Sequence, residues 1–182
     1  VSSSALLAAL DELGVKRIDY ILLTHIHIDH AGGVRALSDA FPDAPVVCHP
    51  KGIKHVAEPE RLWQGSLKTL GRIARAYGPI EPVPQERLRS ADRLPSESFA
   101  AVPTPGHAAH HFSYLFNDGI LFAGEAGGNC LPLDDGGCYL RPATPPRFFL
   151  ETHLLSLDRL IALNPERICY GHVGMQTGAG RL

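Results

Sequence analysis

The stretch Ile18-Asp-Tyr-Ile-Leu-Leu-Thr-His-Ile-His-Ile-Asp-His-Ala-Gly-Gly33 decides how this chain is read. Its first six residues are short and largely apolar, the pattern of a buried strand. They run into His25-x-His27-x-Asp29-His30, and Gly32-Gly33 then opens a helical pattern over residues 34–41. Imidazole and carboxylate are the donors that borderline divalent ions such as zinc prefer. In an extended segment alternate residues share a face, so His25, His27 and Asp29 are expected to point one way. His30 is then expected to turn aside, toward a second ion. With histidine at 10 of 182 positions, the four-residue match arises by chance in roughly one chain in several hundred, counting template matches.

Three later segments repeat the arrangement of a strand followed by a ligand. Thr104-Pro-Gly-His107 follows an apolar run at 99–102, and its Pro-Gly turn fixes where His107 points. Phe122-Ala-Gly-Glu125 places a carboxylate past another strand, and Tyr170-Gly-His172 does the same for an imidazole. Strand C-terminal ends are where open α/β sheets carry their sites, on a frame stiff enough to hold ligands.

This ordered set resembles the metallo-β-lactamase superfamily, and the resemblance covers nearly the whole chain. It is similar in particular to small lactonase-like and glyoxalase-II-like members. The resemblance implies an α/β fold, the αββα four-layer sandwich, as a single domain over residues 1–182. The strands that normally precede the first helix are not in this sequence, so the domain is expected to be incomplete at its N-terminus. The resemblance further implies two divalent metal ions, zinc first, with iron or manganese as alternatives. His25, His27 and His107 would hold one ion. Asp29, His30 and His172 would hold the other, and Glu125 would bridge them. The family usually has Asp at the bridge, so the extra methylene of Glu125 must be absorbed locally. His111 matches the second histidine of the family's TPGHxxxH stretch and is expected beside the ligands rather than among them. His49, His55 and His153 are expected to bind no metal.

The implied activity is hydrolysis of an ester, thioester, lactone or amide through a metal-bridging hydroxide, with Asp29 as the catalytic residue that orients the nucleophile and shuttles its proton. Two other readings share the fold: a mononuclear iron dioxygenase acting on persulfides, and a metal-binding domain without turnover. The chain ends at Leu182, without the helical glutathione domain of a true glyoxalase II, which sets the expectation against that enzyme.

Bulk composition narrows the partners. The formal charge of −2 and the absence of a basic stripe argue against nucleic acid. No apolar run approaches the ~20 residues of a membrane span. The expected partner is a small-molecule substrate. An uncovered apolar sheet face would favour a homo-oligomer. Cys48, Cys130, Cys138 and Cys169 form no CxxC pair and read as reduced thiols of a cytoplasmic protein, although Cys130 and Cys138 flank one Gly-rich loop.

The remaining elements follow from pattern. Ser2–Ser4 cap a helix through Leu6, Leu7, Leu10 and Leu13 that stops at Gly14. A strand is expected at 45–49, and helices at 51–57 and 66–77, with a loop between them holding Pro59 and Trp63. Residues 79–95 read as connecting loop and edge strand. Strands at 111–116 and 120–122 flank the hairpin turn Asn117-Asp-Gly119. Residues 129–146 read as a long loop in which Arg141–Pro146, with Asn129, Tyr139 and Phe148, either line a substrate pocket or form a stiff surface segment. A helix over 148–163 is expected to bury Leu150, Leu154, Leu157 and Ile161, and a last strand lies at 167–170.

Overall fold

Only Ile21–Leu22 (β1) of the first apolar run pairs as a strand, and its neighbours extend the contact: Ile21 N donates to the Pro45 carbonyl (3.0 Å) and Leu23 N to that of Val47 (2.9 Å). The computed structural model describes residues 3–94, 96–134 and 137–182. Ser2, expected in the first cap, and Pro95, at the end of the expected connecting segment, lie outside them. The chain divides into two compact units, Val1–Leu94 and Pro95–Leu182, each with its own core.

In the first unit helix α1 (Ser3–Glu12) ends as expected, with Gly14 at φ +70°. Beyond β1 come α2 (Ile28–Ala31), α3 (Val34–Ala40), β2 (Val46–Cys48), α4 (Pro50–Ala57), α5 (Glu60–Leu70), α6 (Arg72–Tyr77) and β3 (Leu88–Ser90). The three strands form one parallel sheet in the order β1-β2-β3, with Ile21 opposite Val46 and Cys48 opposite Ser90. Val46, Val47 and Cys48 are fully buried, as a central parallel strand covered on both faces requires. Two expectations change here. Trp63 sits inside α5 rather than in a loop, and the break falls at Gly71, whose φ of +55° suits glycine and separates α5 from α6.

The second unit holds β4 (Phe99–Pro103), β5 (Phe112–Phe116), β6 (Ile120–Gly124), β7 (Asn129–Pro132), β8 (Cys138–Arg141), α7 (Leu150–Ala162), β9 (Arg167–Tyr170) and β10 (Met175–Thr177). Five of these strands form a sheet ordered β10-β9-β6-β5-β4. The β5–β6 turn is the expected one, with Gly119 at φ +80° as its left-handed residue. Strands β6 and β9 pair in parallel, and α7 makes the crossover that such a pair requires.

Three expectations fail in this unit for identifiable reasons. The face of α7 that is buried carries His153, Ser156 and Leu160, whereas Leu150 is 57% and Leu154 50% exposed. Hydrogen bonding overrides the leucine stripe: Ser156 Oγ donates to the Pro105 carbonyl (2.6 Å), and Gly106 brings its backbone against His153. The segment expected as a long loop instead contains the β7–β8 hairpin, whose residues 135 and 136 lie outside those described. Its register places Cys130 and Cys138 diagonally, with Cα atoms 5.8 Å apart, and they form a disulfide instead of remaining reduced. Among the described residues no helix is long and apolar enough to cross a membrane.

Candidate metal centre

The motif histidines leave the first sheet at the C-terminal end of β1. The extended backbone persists only to His27 (φ −63°, ψ 154°), which caps α2, so Asp29 and His30 project from a helical turn and the expected alternation ends one residue past His27. Helix α2 is held by burial of Ile28 against Ala74 and Ile80, with Leu62, Trp63 and Leu67 around them. Apolar packing from α5 and α6 thereby fixes the direction of Asp29 and His30. His25 is completely buried, and its Nε2 lies 3.1 Å from His27 Nδ1. Thr24 Oγ1 is 3.1 Å from the other nitrogen of His25. The rings of His25 and His30 are 4.2 Å apart, and Asp29 Oδ2 lies 3.6 Å from His30 Nε2. The first unit thus gathers His25, His27, Asp29 and His30 into one cluster.

The second unit gathers the other three. His107 follows β4, Glu125 opens the 3-10 turn Glu125–Gly127 after β6, and His172 follows β9. The β6–β9 register shifts between Phe122 and Gly124, immediately before Glu125, as irregular pairing often does where a side chain must be re-aimed. Glu125 is buried, and its two oxygens face different imidazoles: Oε2 contacts His107 Nε2 and Oε1 lies 2.8 Å from His172 Nε2. The extra methylene, which the sequence left to be absorbed, lies over Gly171. A Cβ there would stand 2.7 Å from Glu125 Cγ, so the bare glycine makes room for a glutamate.

The protonation of His107 tests whether a cation fits. Its Nδ1 is 2.9 Å from the Ala143 carbonyl, which can only accept, so Nδ1 carries a proton. In neutral imidazole Nε2 then offers a lone pair, and that lone pair faces a carboxylate oxygen. Two acceptors in contact need a positive charge between them, supplied by a second proton or by a metal ion. All three groups are borderline-ion ligands, and a backbone carbonyl orienting a ligating histidine is the usual outer support of such sites. The donor set fits a divalent ion.

That support comes from the segment left open by sequence. Ala143 is buried and does its work through its carbonyl, whereas Tyr139 is 56% exposed. The signal was out of reach because a backbone acceptor has no residue type. His111 lies where the TPGHxxxH pattern put it, buried beside His107 with ring centroids 6.3 Å apart. Its Nδ1 is 2.8 Å from Thr104 Oγ1, which is 2.9 Å from Ser113 Oγ, and Ser113 donates to the Ala123 carbonyl (2.9 Å). This buried chain ties the strand before His107 to the strand before Glu125. His49 serves as a helix cap, its Nδ1 accepting from Lys51 N at 3.0 Å.

Residues 2–172 match the family model described as the metallo-beta-lactamase superfamily. The metallo-beta-lactamase fold-containing protein ST1585 of Sulfurisphaera tokodaii is 31% identical over 173 residues, covering 87% of this chain and 62% of its own length. The crystal structure of ST1585 from Sulfolobus tokodaii superposes with a TM-score of 0.79 at 29% identity, over 93% of this chain and 66% of that one. A hydroxyacylglutathione hydrolase of Xylella fastidiosa is 33% identical over 155 residues, 84% of this chain and 45% of that protein. The chain therefore spans about half to two thirds of the lengths of these relatives. TTHA1623, solved in a di-iron-bound form, is 31% identical with a TM-score of 0.64, covering all of this chain and 82% of that one. This chain has the metallo-β-lactamase fold and belongs to the metallo-β-lactamase superfamily.

Proposed function

We propose that the two ligand clusters together hold a pair of divalent ions and that the chain carries the catalytic centre of a metal-dependent hydrolase. His25, His27 and His107 serve one ion, Asp29, His30 and His172 the other, and Glu125 both. The observation that carries this reading is Glu125, with each oxygen turned to a separate imidazole and one of those imidazoles already committed through Nδ1 to a carbonyl. Zinc is the first choice for a site of nitrogen and oxygen donors. When bound, such a pair supplies a Lewis acid for a carbonyl oxygen and a water whose pKa falls from ~15.7 toward ~7.

The chain's own residues do the rest. His25 is buried in the first unit and His107 and Glu125 are buried in the second, so charge on a reacting oxygen beside them is weakly screened. Ala143 and Thr24 hold rings in place. Asp29, exposed where Glu125 is buried, is the carboxylate that orients the attacking water and carries its proton to the leaving group. The substrate is a small molecule with an ester, thioester, lactone or amide carbonyl. A thioester comes first, because hydroxyacylglutathione hydrolases are among the relatives. Elemental analysis of protein purified without added metal, followed by a thioester, ester and lactone screen of the zinc- and manganese-loaded chain, tests the reading. A full complement of zinc and turnover above free metal is expected, and metal-free protein that does not take up zinc overturns it.

A second reading is a mononuclear iron dioxygenase acting on persulfides, and TTHA1623, solved in a di-iron-bound form, is a relative that holds iron. Iron in the purified chain, with oxygen uptake on a persulfide and no hydrolysis, would move the assignment to dioxygenase chemistry.

A further inference from the structure

One covalent link lies at the junction of all three segments that carry second-unit ligands. The Cys130–Cys138 disulfide closes the β7–β8 hairpin. The hairpin leaves directly from the Glu125–Gly127 turn, and Gly128 is pressed so closely to the end of β8 that a Cβ would stand 2.5 Å from the Arg141 carbonyl oxygen. Two residues past β8 is Ala143, whose carbonyl holds His107. The cysteine sulfur also touches the strand beyond His172. Gln176 Nε2 donates to Cys130 Sγ (3.6 Å), and a Cβ at Gly174 would lie 3.6 Å from the same sulfur. Gly174 in turn accepts from Tyr170 N (3.2 Å), closing the loop that contains His172.

Access to this bond is one-sided. Cys130 is 2% exposed, while Cys138 is half-buried and lines a cavity of about 140 Å³ with Leu140, Tyr170, Gln176, Gly180 and Leu182. A small thiolate can therefore approach Cys138 and leave Cys130 as the departing sulfur.

We propose that the Cys130–Cys138 bond is a redox latch on the metal centre: oxidised, it clamps the hairpin that supports His107, Glu125 and His172, and reduced, it lets that support relax so that metal is released faster. The inference rests on the metal-centre reading above and deepens it by naming a control on it. The reductant is a dithiol. One of its thiolates attacks Cys138 Sγ, the bond between the cysteines breaks, and Cys130 leaves as a thiolate that takes up a proton. The second thiolate of the reagent then attacks the mixed disulfide and releases Cys138. Two electrons pass to the protein, which gains two thiols, and the dithiol departs as its own disulfide.

The test uses the zinc-loaded full chain with a chromogenic chelator to record release. Tris(carboxyethyl)phosphine replaces the dithiol because it competes less for the ion. Reduction should raise the release rate about tenfold, the scale on which lost outer support weakens metal sites, and reoxidation should restore it. The double variant Cys130→Ala/Cys138→Ala should release at the reduced rate and ignore the phosphine. Equal release from oxidised and reduced wild-type chain, or a double variant that still responds, overturns the latch while the metal reading stands. If neither form takes up zinc, the metal reading itself fails and the latch with it. Hydrogen exchange across residues 138–141 and 172–177 gives an independent readout, and it should quicken on reduction.

Discussion

Replacing Gly106 with alanine should unfold the second unit many degrees earlier while leaving every proposed ligand in the sequence. Gly106 sits at φ +140°, where an L side chain costs about 1–3 kcal/mol. The added methyl would also stand 2.6 Å from both Cα and Cβ of His153 and 2.9 Å from its backbone nitrogen. Carbon atoms pack best at ~3.5–4.0 Å, so helix α7 or the turn must retreat by about 1 Å. The partner atoms are helix backbone, not the tip of a flexible chain, and such overpacking costs about 1–3 kcal/mol. The two terms sum to about 4 kcal/mol. At roughly 2–4 °C per kcal/mol for a chain of this size, Tm should fall by about 8–16 °C. Differential scanning calorimetry measures it, with Gly65→Ala as control. That glycine lies in α5 with nothing within 4 Å of an added Cβ, so its variant should gain about 0.5–1 kcal/mol. A Gly106→Ala protein melting within 2–3 °C of wild type, by the same conversion, would refute the claim that the turn is docked this tightly on α7.

Three more expectations follow the same reasoning. His27→Ala removes a nitrogen 3.1 Å from His25 Nε2 and should lower zinc content by about one ion per chain, read by elemental analysis; unchanged content would remove His27 from the ligand set. Thr104→Val deletes a fully buried hydroxyl that contacts His111 and Ser113, and should cost about 1–3 kcal/mol by urea titration, since both partners stay buried. The pKa of His49 is lowered by burial and then by Lys51, against a smaller opposing pull from Asp92. Below about pH 6.5 the unfolded chain takes up a proton that the folded ring resists, so stability should drop as pH falls from 7.5 to 5.5, and His49→Asn, which keeps a capping acceptor, should flatten that slope.

What could be read beforehand was whatever a residue type announces. The order of His25, His27, Asp29, His30, His107, Glu125 and His172 at strand exits named the family, because ligand chemistry restricts the side chains. Asn117-Asp-Gly119 announced its turn for the same kind of reason, since few residues accept the backbone it needs. The failures lie where backbone or tertiary geometry decides. A leucine stripe on α7 gave the wrong face, because an apolar pattern says nothing of a carbonyl at Pro105 waiting for Ser156. The hairpin at 129–141 was hidden because the Gly- and Pro-rich composition of 129–146 reads as loop, whereas β7 and β8 pair by register. The Ala143 carbonyl had no sequence signature at all.

The departure at Glu125 shows how such backbone detail feeds chemistry. A longer side chain at a bridging position pushes its carboxylate about one bond length further out, unless the chain folds sideways. Here it folds sideways, into the space left by Gly171, the residue just before His172. The same glycine therefore sets the reach of the glutamate and the position of the histidine that its Oε1 faces at 2.8 Å. Glutamate at this position and the bare backbone beside it are one adaptation rather than two, and a side chain at residue 171 would move both groups at once. The longer acid keeps its contact with His172 because the space was taken from that histidine's own strand exit.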